Sequence, residues 1–292
     1  MRMSYINRIK GNISISTNKK TANVLDGSYK SIFKGKSLNF EDLRTYVIGD
    51  NVKDIDWKAS ARNNDILIKQ FVAEKKHNMM FVLDSSKTML ADSFAKDKKY
   101  EVALYTAGTL AYLANNNGDY VAGLYSKENK INYLPFKQGL FNIEYILNSY
   151  ETDTNNLNNS ATLNDMLDYI INYIDRRMVI FIITDLSGID SLEIKKLKTL
   201  ALKNDILIIN INDNLLYDLG TYDIEVEEYI PRMFLKDEKL KNIEIEEKKK
   251  ILKKKEKEFL KYKISTTSID GYKEIVNKVV ELLERHRYAN TR

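Results

Sequence analysis

Unbroken apolar runs alternate along this chain with stretches in which apolar residues recur every three or four positions. Met79-Met80-Phe81-Val82-Leu83 runs into Asp84 without a polar break, and Met178–Thr184 runs in the same way into Asp185. A short apolar run without alternation predicts a strand covered on both faces, as in a parallel sheet between helices. Tyr120–Tyr125, Asp205–Ile211 and Tyr262–Thr266 predict further strands, and Ile66–Val72 an earlier one. Lys130–Phe136 predicts an antiparallel edge strand joined through Ser126-Lys127-Glu128-Asn129.

Helical spacing fills the gaps. Lys96–Asn116 places Leu104, Ala107, Leu110, Ala111 and Ala114 on one face, with Gly118 set to stop the helix. Leu140–Ser149 predicts a short helix, and Glu151–Ser160 has the composition of a turn. Leu163, Met166, Leu167, Ile170, Ile171 and Ile174 form the cleanest amphipathic stripe. Asp190 and Glu193 have the spacing of a capping box opening a helix through Leu202, and Gly271–Arg287 predicts a last helix. The expected fold is therefore α/β: a doubly wound, mostly parallel sheet with helices on both faces, over residues 77–292. Residues 1–76 are expected to form an N-terminal arm, extended and partly ordered over the first thirty residues.

Three places then combine at one edge of that sheet. Asp84-x-Ser86-x-Thr88 ends one strand, Thr162 enters the amphipathic helix, and Asp185 ends another strand. In a parallel sheet, strand C-termini and helix N-termini share an edge, and ligands bind there. Carboxylates and hydroxyls offer an all-oxygen shell suited to Mg²⁺ or Mn²⁺. Each residue also has a local use: Asp84 and Ser86 as turn formers, Thr162 as a helix cap completed by Asp165, Asp185 as a turn aspartate. Their conjunction at one edge is what favours a metal site.

Asp-x-Ser-x-Thr after an apolar strand, a helix-entry Thr and a strand-end Asp resemble the metal-ion-dependent adhesion site of von Willebrand factor type A domains. Thr88 stands where that motif usually has Ser, and Leu186 follows Asp185 where Gly is common. Upstream, the order Ser37, Phe40, Arg44-x-Tyr46, Gly49-Asp50, Ile55-Asp56-Trp57 and Ala61-Arg62 resembles the signature of the bacterial domain of unknown function 58 family. The resemblance runs from about Ile13 to Arg287. It implies a non-enzymatic, type A-like interaction module with Mg²⁺ or Mn²⁺ at Asp84, Ser86, Thr88, Thr162 and Asp185. It further implies a MoxR-type AAA+ ATPase as protein partner. In the signature, Trp57 and Phe40 are large apolar groups, while Arg44 and Arg62 have Asp50, Asp54 and Asp56 as possible partners. A buried network locking the arm onto the sheet is expected, with a partner-contacting surface as the alternative.

Competing chemistry finds less support. Gly35-Lys36-Ser37 looks like the end of a phosphate-binding P-loop, but Lys30 stands where its first glycine belongs. Asp84-x-Ser86-x-Thr88 also resembles the Asp-x-Asp-x-Thr motif of haloacid-dehalogenase phosphatases. Those enzymes use a second carboxylate two residues on as acid and base, and Ser86 cannot serve. A metal-free scaffold is the remaining alternative.

Composition adjusts this picture only slightly. There is no cysteine, so thiolate chemistry and disulfides are excluded. The two histidines, His77 and His286, are expected to be exposed bystanders. A net charge of +5 arises from 46 basic and 41 acidic residues that are interspersed. Lys248-Lys249-Lys250 and Lys253-Lys254-Lys255 are mixed with Glu244, Glu246, Glu247, Glu256 and Glu258, and Ile243, Ile251, Leu252, Phe259 and Leu260 supply an apolar stripe. A solvated helix face is expected there, not a nucleic-acid surface. No apolar stretch is long enough for a membrane span or a secretory signal, so a cytoplasmic protein is expected.

Overall fold

The computed structural model describes residues 4–16, 25–30, 42–63, 65–70, 76–154, 162–215, 222–223, 228–229 and 238–290. Its centre is a six-stranded sheet. The strands are β3 (Asn78–Leu83), β4 (Tyr120–Lys127), β5 (Lys130–Lys137), β6 (Val179–Asp185), β7 (Asp205–Ile211) and β8 (Ser265–Ile269), in the order β8-β7-β6-β3-β4-β5. All neighbours are parallel except β4 and β5. The chain winds outward from β3 through β4 and β5, then returns to β6 and winds outward the other way. The crossover direction therefore reverses between β3 and β6, the place where open α/β sheets leave a crevice.

Period-two geometry explains why these strands are apolar throughout. Met79, Phe81 and Leu83 join Val179, Phe181 and Ile183 on one face, under the helices Tyr5–Ser16, Lys99–Asn116, Leu140–Thr154 and Ile275–Asn290. The Phe81 and Phe181 rings stack there with centroids 5.2 Å apart. Met80, Val82, Ile180, Ile182, Ile206 and Ile208 face the opposite way, toward Leu163–Tyr173, Leu186–Ser191, Ile194–Ala201 and Phe259. Helices on both faces match the expected fold class.

Several boundaries differ from expectation for identifiable reasons. Tyr5–Ser16 is a helix and not an extended lead-in, and Tyr5, Ile6 and Ile9 are buried in the core. Its first backbone N–H groups are satisfied by the Glu144 carboxylate, which accepts from Tyr5 N at 2.8 Å and from Ile6 N at 3.1 Å. Leu25 and Tyr29 are also buried, and the Tyr29 hydroxyl donates to Asp119 at 2.6 Å. Leu140–Thr154 takes in the first four residues of the expected loop, because Tyr150, Asp153 and Thr154 are buried. Residues 155–160 lie outside the described residues. Glu193 caps Ile194–Ala201 without a side-chain bond, and Asp190 belongs to the preceding helix Leu186–Ser191, so the expected capping box does not form. The last strand begins at Ser265, three residues later than expected, and the last helix begins at Ile275.

The lysine-rich segment is a helix, Glu238–Leu260, with Phe259 buried and Ile243 and Leu260 exposed. Lys250 and Glu247 pair in solvent as expected, whereas Lys248 pairs with a Glu244 side chain only 9% exposed and also donates to Asn214 O at 3.0 Å. Among the described residues no helix is long and apolar enough to cross a membrane.

His286 corrects another expectation. It is only 1% exposed, with Nδ1 3.2 Å from Ser265 Oγ. Burial lowers its pKa below the ordinary 6.5, although the nearby Asp205 pulls the other way. The unfolded chain therefore takes up this proton more readily than the folded one. Stability should fall as the pH drops below about 6.5, and His286→Gln should flatten that part of a urea-midpoint profile against pH.

Candidate metal centre

The crevice between β3 and β6 brings the strand-end residues together. Leu83 is in register with Ile183, and Asp84 N donates to Ile183 O at 3.0 Å. Asp84 is 4% exposed and Asp185 1%. Asp84 Oδ1 accepts from Ser86 N at 2.9 Å, forming the turn that leads from strand to loop. Its Oδ2 accepts from the Thr184 hydroxyl. The backbone carbonyl of Asp84 accepts from the buried Tyr150 hydroxyl at 2.5 Å. Burial raises the Asp84 pKa, and repulsion from Asp185 raises it further, against the bonds from Thr184 and Ser86.

Two hydroxyls stand in front of this carboxylate. Ser86 Oγ and Thr88 Oγ1 share a hydrogen bond of 3.0 Å, at the start of a short 3-10 turn over Lys87–Leu90. Thr88 also bonds Asp185. Behind it, Asp185 caps the helix that starts at Leu186, accepting from Gly188 N at 3.0 Å. That cap explains how Leu186 can follow Asp185 directly: the chain turns straight into a helix.

One buried cation of central weight lies outside every motif of the sequence. Lys99, the first residue of its helix and 2% exposed, donates to Asp185 Oδ2 at 2.6 Å and also to Asp213 Oδ1. Burial opposes its charge, but the two carboxylates outweigh that and raise its pKa. Burial likewise opposes ionisation of Asp185, yet the Lys99 ammonium and the bonds from Gly188 and Thr88 hold it below the usual carboxylate range. Asp213 is raised, by burial first and by Asp185 repulsion, with Lys99 pulling the other way. In the sequence Lys99 ends the charged run Lys96-Asp97-Lys98-Lys99, and only β6 and β7 beside it single it out.

Thr162 is exposed and spends its hydroxyl on its own helix. It donates to Asp165 Oδ2 at 2.9 Å and accepts from Asp165 N at 3.3 Å, a complete capping box. Among the described residues, no hydrogen bond joins it to Asp84, Ser86, Thr88 or Asp185.

The donor set suits a hard divalent ion through its hydroxyls. Bonds of about 2.0–2.1 Å at right angles put neighbouring oxygens of a Mg²⁺ octahedron about 2.9 Å apart, close to the Ser86–Thr88 separation. The carboxylates are engaged: both Asp84 oxygens and both Asp185 oxygens accept from protein donors. In keeping with this, no group of three or more His, Asp or Glu side chains among the described residues is disposed to hold a metal. If an ion bound at this edge, Ser86 and Thr88 would offer it neutral oxygens, and Asp84 and Asp185 would supply negative charge beside it.

The upstream signature forms a small unit of its own. β1 (Asp42–Thr45) pairs antiparallel with β2 (Leu67–Gln70), and Trp57–Asn63 is a helix between them. Arg44 forks onto Asp50 at 2.6 and 2.7 Å, which lowers the Asp50 pKa to about 2. Gly49 turns the chain at a φ of 111°, a conformation that favours glycine. Asp56 caps the helix, accepting from Lys58 N and Ala59 N at 3.0 Å. Tyr46 N donates to Ile66 O at 2.7 Å. The expected buried network is overturned: Trp57 is 65% exposed, Arg62 is exposed, and the Arg44–Asp50 pair lies in solvent. Ile55, Leu67 and Ile68 fill the small core instead. Phe40 lies outside the described residues.

Residues 42–230 match the family model described as protein of unknown function DUF58. The chain belongs to the DUF58 family. Among curated proteins, this DUF58 chain is similar to the uncharacterized protein Rv1480 of Mycobacterium tuberculosis, 21% identical over 127 residues, covering 44% of this chain and 40% of that one. It is also similar to the uncharacterized protein YeaD of Bacillus subtilis, 30% identical over 105 residues, covering 36% of this chain and 24% of that one. The DUF58 chain thus spans less than half the length of these relatives. Among solved structures it is similar to protein BatB of Bacteroides thetaiotaomicron, with TM-score 0.45, 14% identity, and coverage of 72% of this chain and 98% of that one. A von Willebrand factor type A protein of Catenulispora acidiphila gives TM-score 0.42 and 8% identity, over 74% of this chain and 43% of that one.

Proposed function

We propose that the β3–β6 edge is a Mg²⁺ or Mn²⁺ site through which this DUF58 protein docks a protein partner, without catalysing a reaction. Ser86 and Thr88 hold the ion, and Asp84 and Asp185 act through water. Thr162 joins this set only when its hydroxyl leaves Asp165. When bound, the ion supplies an electrophilic position that an acidic side chain of the partner fills. The observation that carries this reading is the gathering of two hydroxyls, Ser86 and Thr88, with two buried carboxylates, Asp84 and Asp185, at one edge of the sheet. Neutral hydroxyl ligands leave most of the ion's charge for the partner. The proposed partner is a MoxR-type AAA+ ATPase, a choice that rests on the family resemblance, and the proposed compartment is the cytoplasm.

A second reading is favoured by one observation. Lys99 already places a positive charge on Asp185, so the same cluster can tie the loops together without metal. Calorimetric titration separates the two. The metal reading expects Mg²⁺ or Mn²⁺ to bind at millimolar concentration or below, with Asp84→Ala and Ser86→Ala each weakening binding about tenfold or more. Absence of binding at millimolar metal selects the scaffold. A phosphatase is disfavoured because Ser86 replaces its second carboxylate, and metal-dependent phosphate release abolished by Asp84→Asn would reverse that judgement.

A further inference from the structure

We propose that Lys99 is the residue that sets metal affinity at this edge, a fixed internal cation that keeps Asp185 from binding the ion directly. The inference rests on the metal-docking reading and concerns a residue that reading does not use. Lys99 is an expensive choice for its position. It sits at the first residue of an eighteen-residue helix, where the helix dipole disfavours a cation, and Lys98 before it provides no side-chain cap. Its ammonium is buried, and a buried ion pair is on average no better for stability than apolar packing. Core packing alone therefore gives no reason for a lysine here.

Its surroundings hold it in place. Lys99 N donates to Ala91 O at 3.0 Å. The loop before the helix is laced to the segment after β7: Phe94 N donates to Asn212 O at 2.8 Å and Asn214 N to Asp92 O at 3.1 Å. Asp213 is thereby fixed beside the ammonium. Asp185 gives Oδ2 to Lys99 and Oδ1 to Gly188 N, so an ion at Oδ2 would have to share that oxygen with an ammonium of like charge. The ion is left to the two hydroxyls and to water, which keeps its affinity low and its charge available to the partner.

Calorimetric titration of Mn²⁺ into the full chain tests this, with thermal unfolding recorded for each variant. Lys99→Met should bind Mn²⁺ at least about tenfold more tightly than wild type. Metal-free Lys99→Met should melt below wild type, and Mn²⁺ should recover most of the loss. Lys99→Met with Asp213→Asn removes one charge of each sign and guards against misfolding of the single variant. It too should bind more tightly than wild type, whereas a simple count of charges expects no change. Lys99→Arg should stay near wild type. Folded Lys99→Met or double variants that bind Mn²⁺ no better than wild type overturn the role of Lys99 alone. Binding by the variants but not by wild type supports the inference and overturns metal-dependent docking by the native chain. Binding by none overturns both.

Discussion

Asp185→Ala should lower unfolding stability by about 3 kcal/mol or more, read from urea midpoints at unchanged slope. The substitution strips a buried ammonium of its 2.6 Å partner and removes the cap from Gly188 N. Removing one member of a buried pair costs about 3–5 kcal/mol, because the other charge is left in a poor solvent. Asp213 still accepts from Lys99, which places the expectation at the lower end of that range. Asp185→Asn keeps an acceptor for the cap and should lose less. A loss below about 1 kcal/mol for Asp185→Ala would mean that the Lys99 pair contributes like an exposed one.

Gly188→Ala opposes two effects of known size. Position 188 lies in a helix, where alanine is favoured over glycine by about 1 kcal/mol. A Cβ there, however, would lie 1.8 Å from Thr184 Oγ1, 2.8 Å from Asp84 Oδ2 and 2.9 Å from Leu163 Cδ1. None of these can swing into solvent: Thr184 and Asp84 bond each other and Leu163 is in the core. Overpacking of this kind costs about 1–3 kcal/mol, at the upper end when the obstacle is so close. The net expectation is a loss of about 2 kcal/mol and a displaced Asp84 carboxylate. An unchanged or raised Tm in calorimetry would show that the β6–helix junction yields more easily than its packing suggests.

Where a residue's environment is set by its neighbours in sequence, the sequence was sufficient. Met79–Leu83 and Met178–Thr184 are apolar at every position because both faces of their strands are covered. Asp84 and Asp185 follow those runs directly, so their shared edge was legible from topology alone. Long-range contacts were not. Tyr5–Ser16 contains Asn7, Arg8, Lys10 and Gly11, and its N-terminus is satisfied by Glu144, far along the chain. Lys99 belongs to a run of charged residues, and only Asp185 at the end of β6 and Asp213 just after β7 distinguish it. Trp57 illustrates the opposite error: a large aromatic in a dense motif suggested burial, but its helix turns it outward while Ile55 and Ile68 fill the core.

The claim that two hydroxyls carry the ion is tested most directly by anomalous difference density from crystals of the full chain grown with Mn²⁺. The account predicts a single peak within metal–oxygen bonding distance of both Ser86 Oγ and Thr88 Oγ1, with Lys99 still on Asp185. No peak at this edge, or a peak bonded to Asp185 and Asp213 with Lys99 displaced, would contradict it.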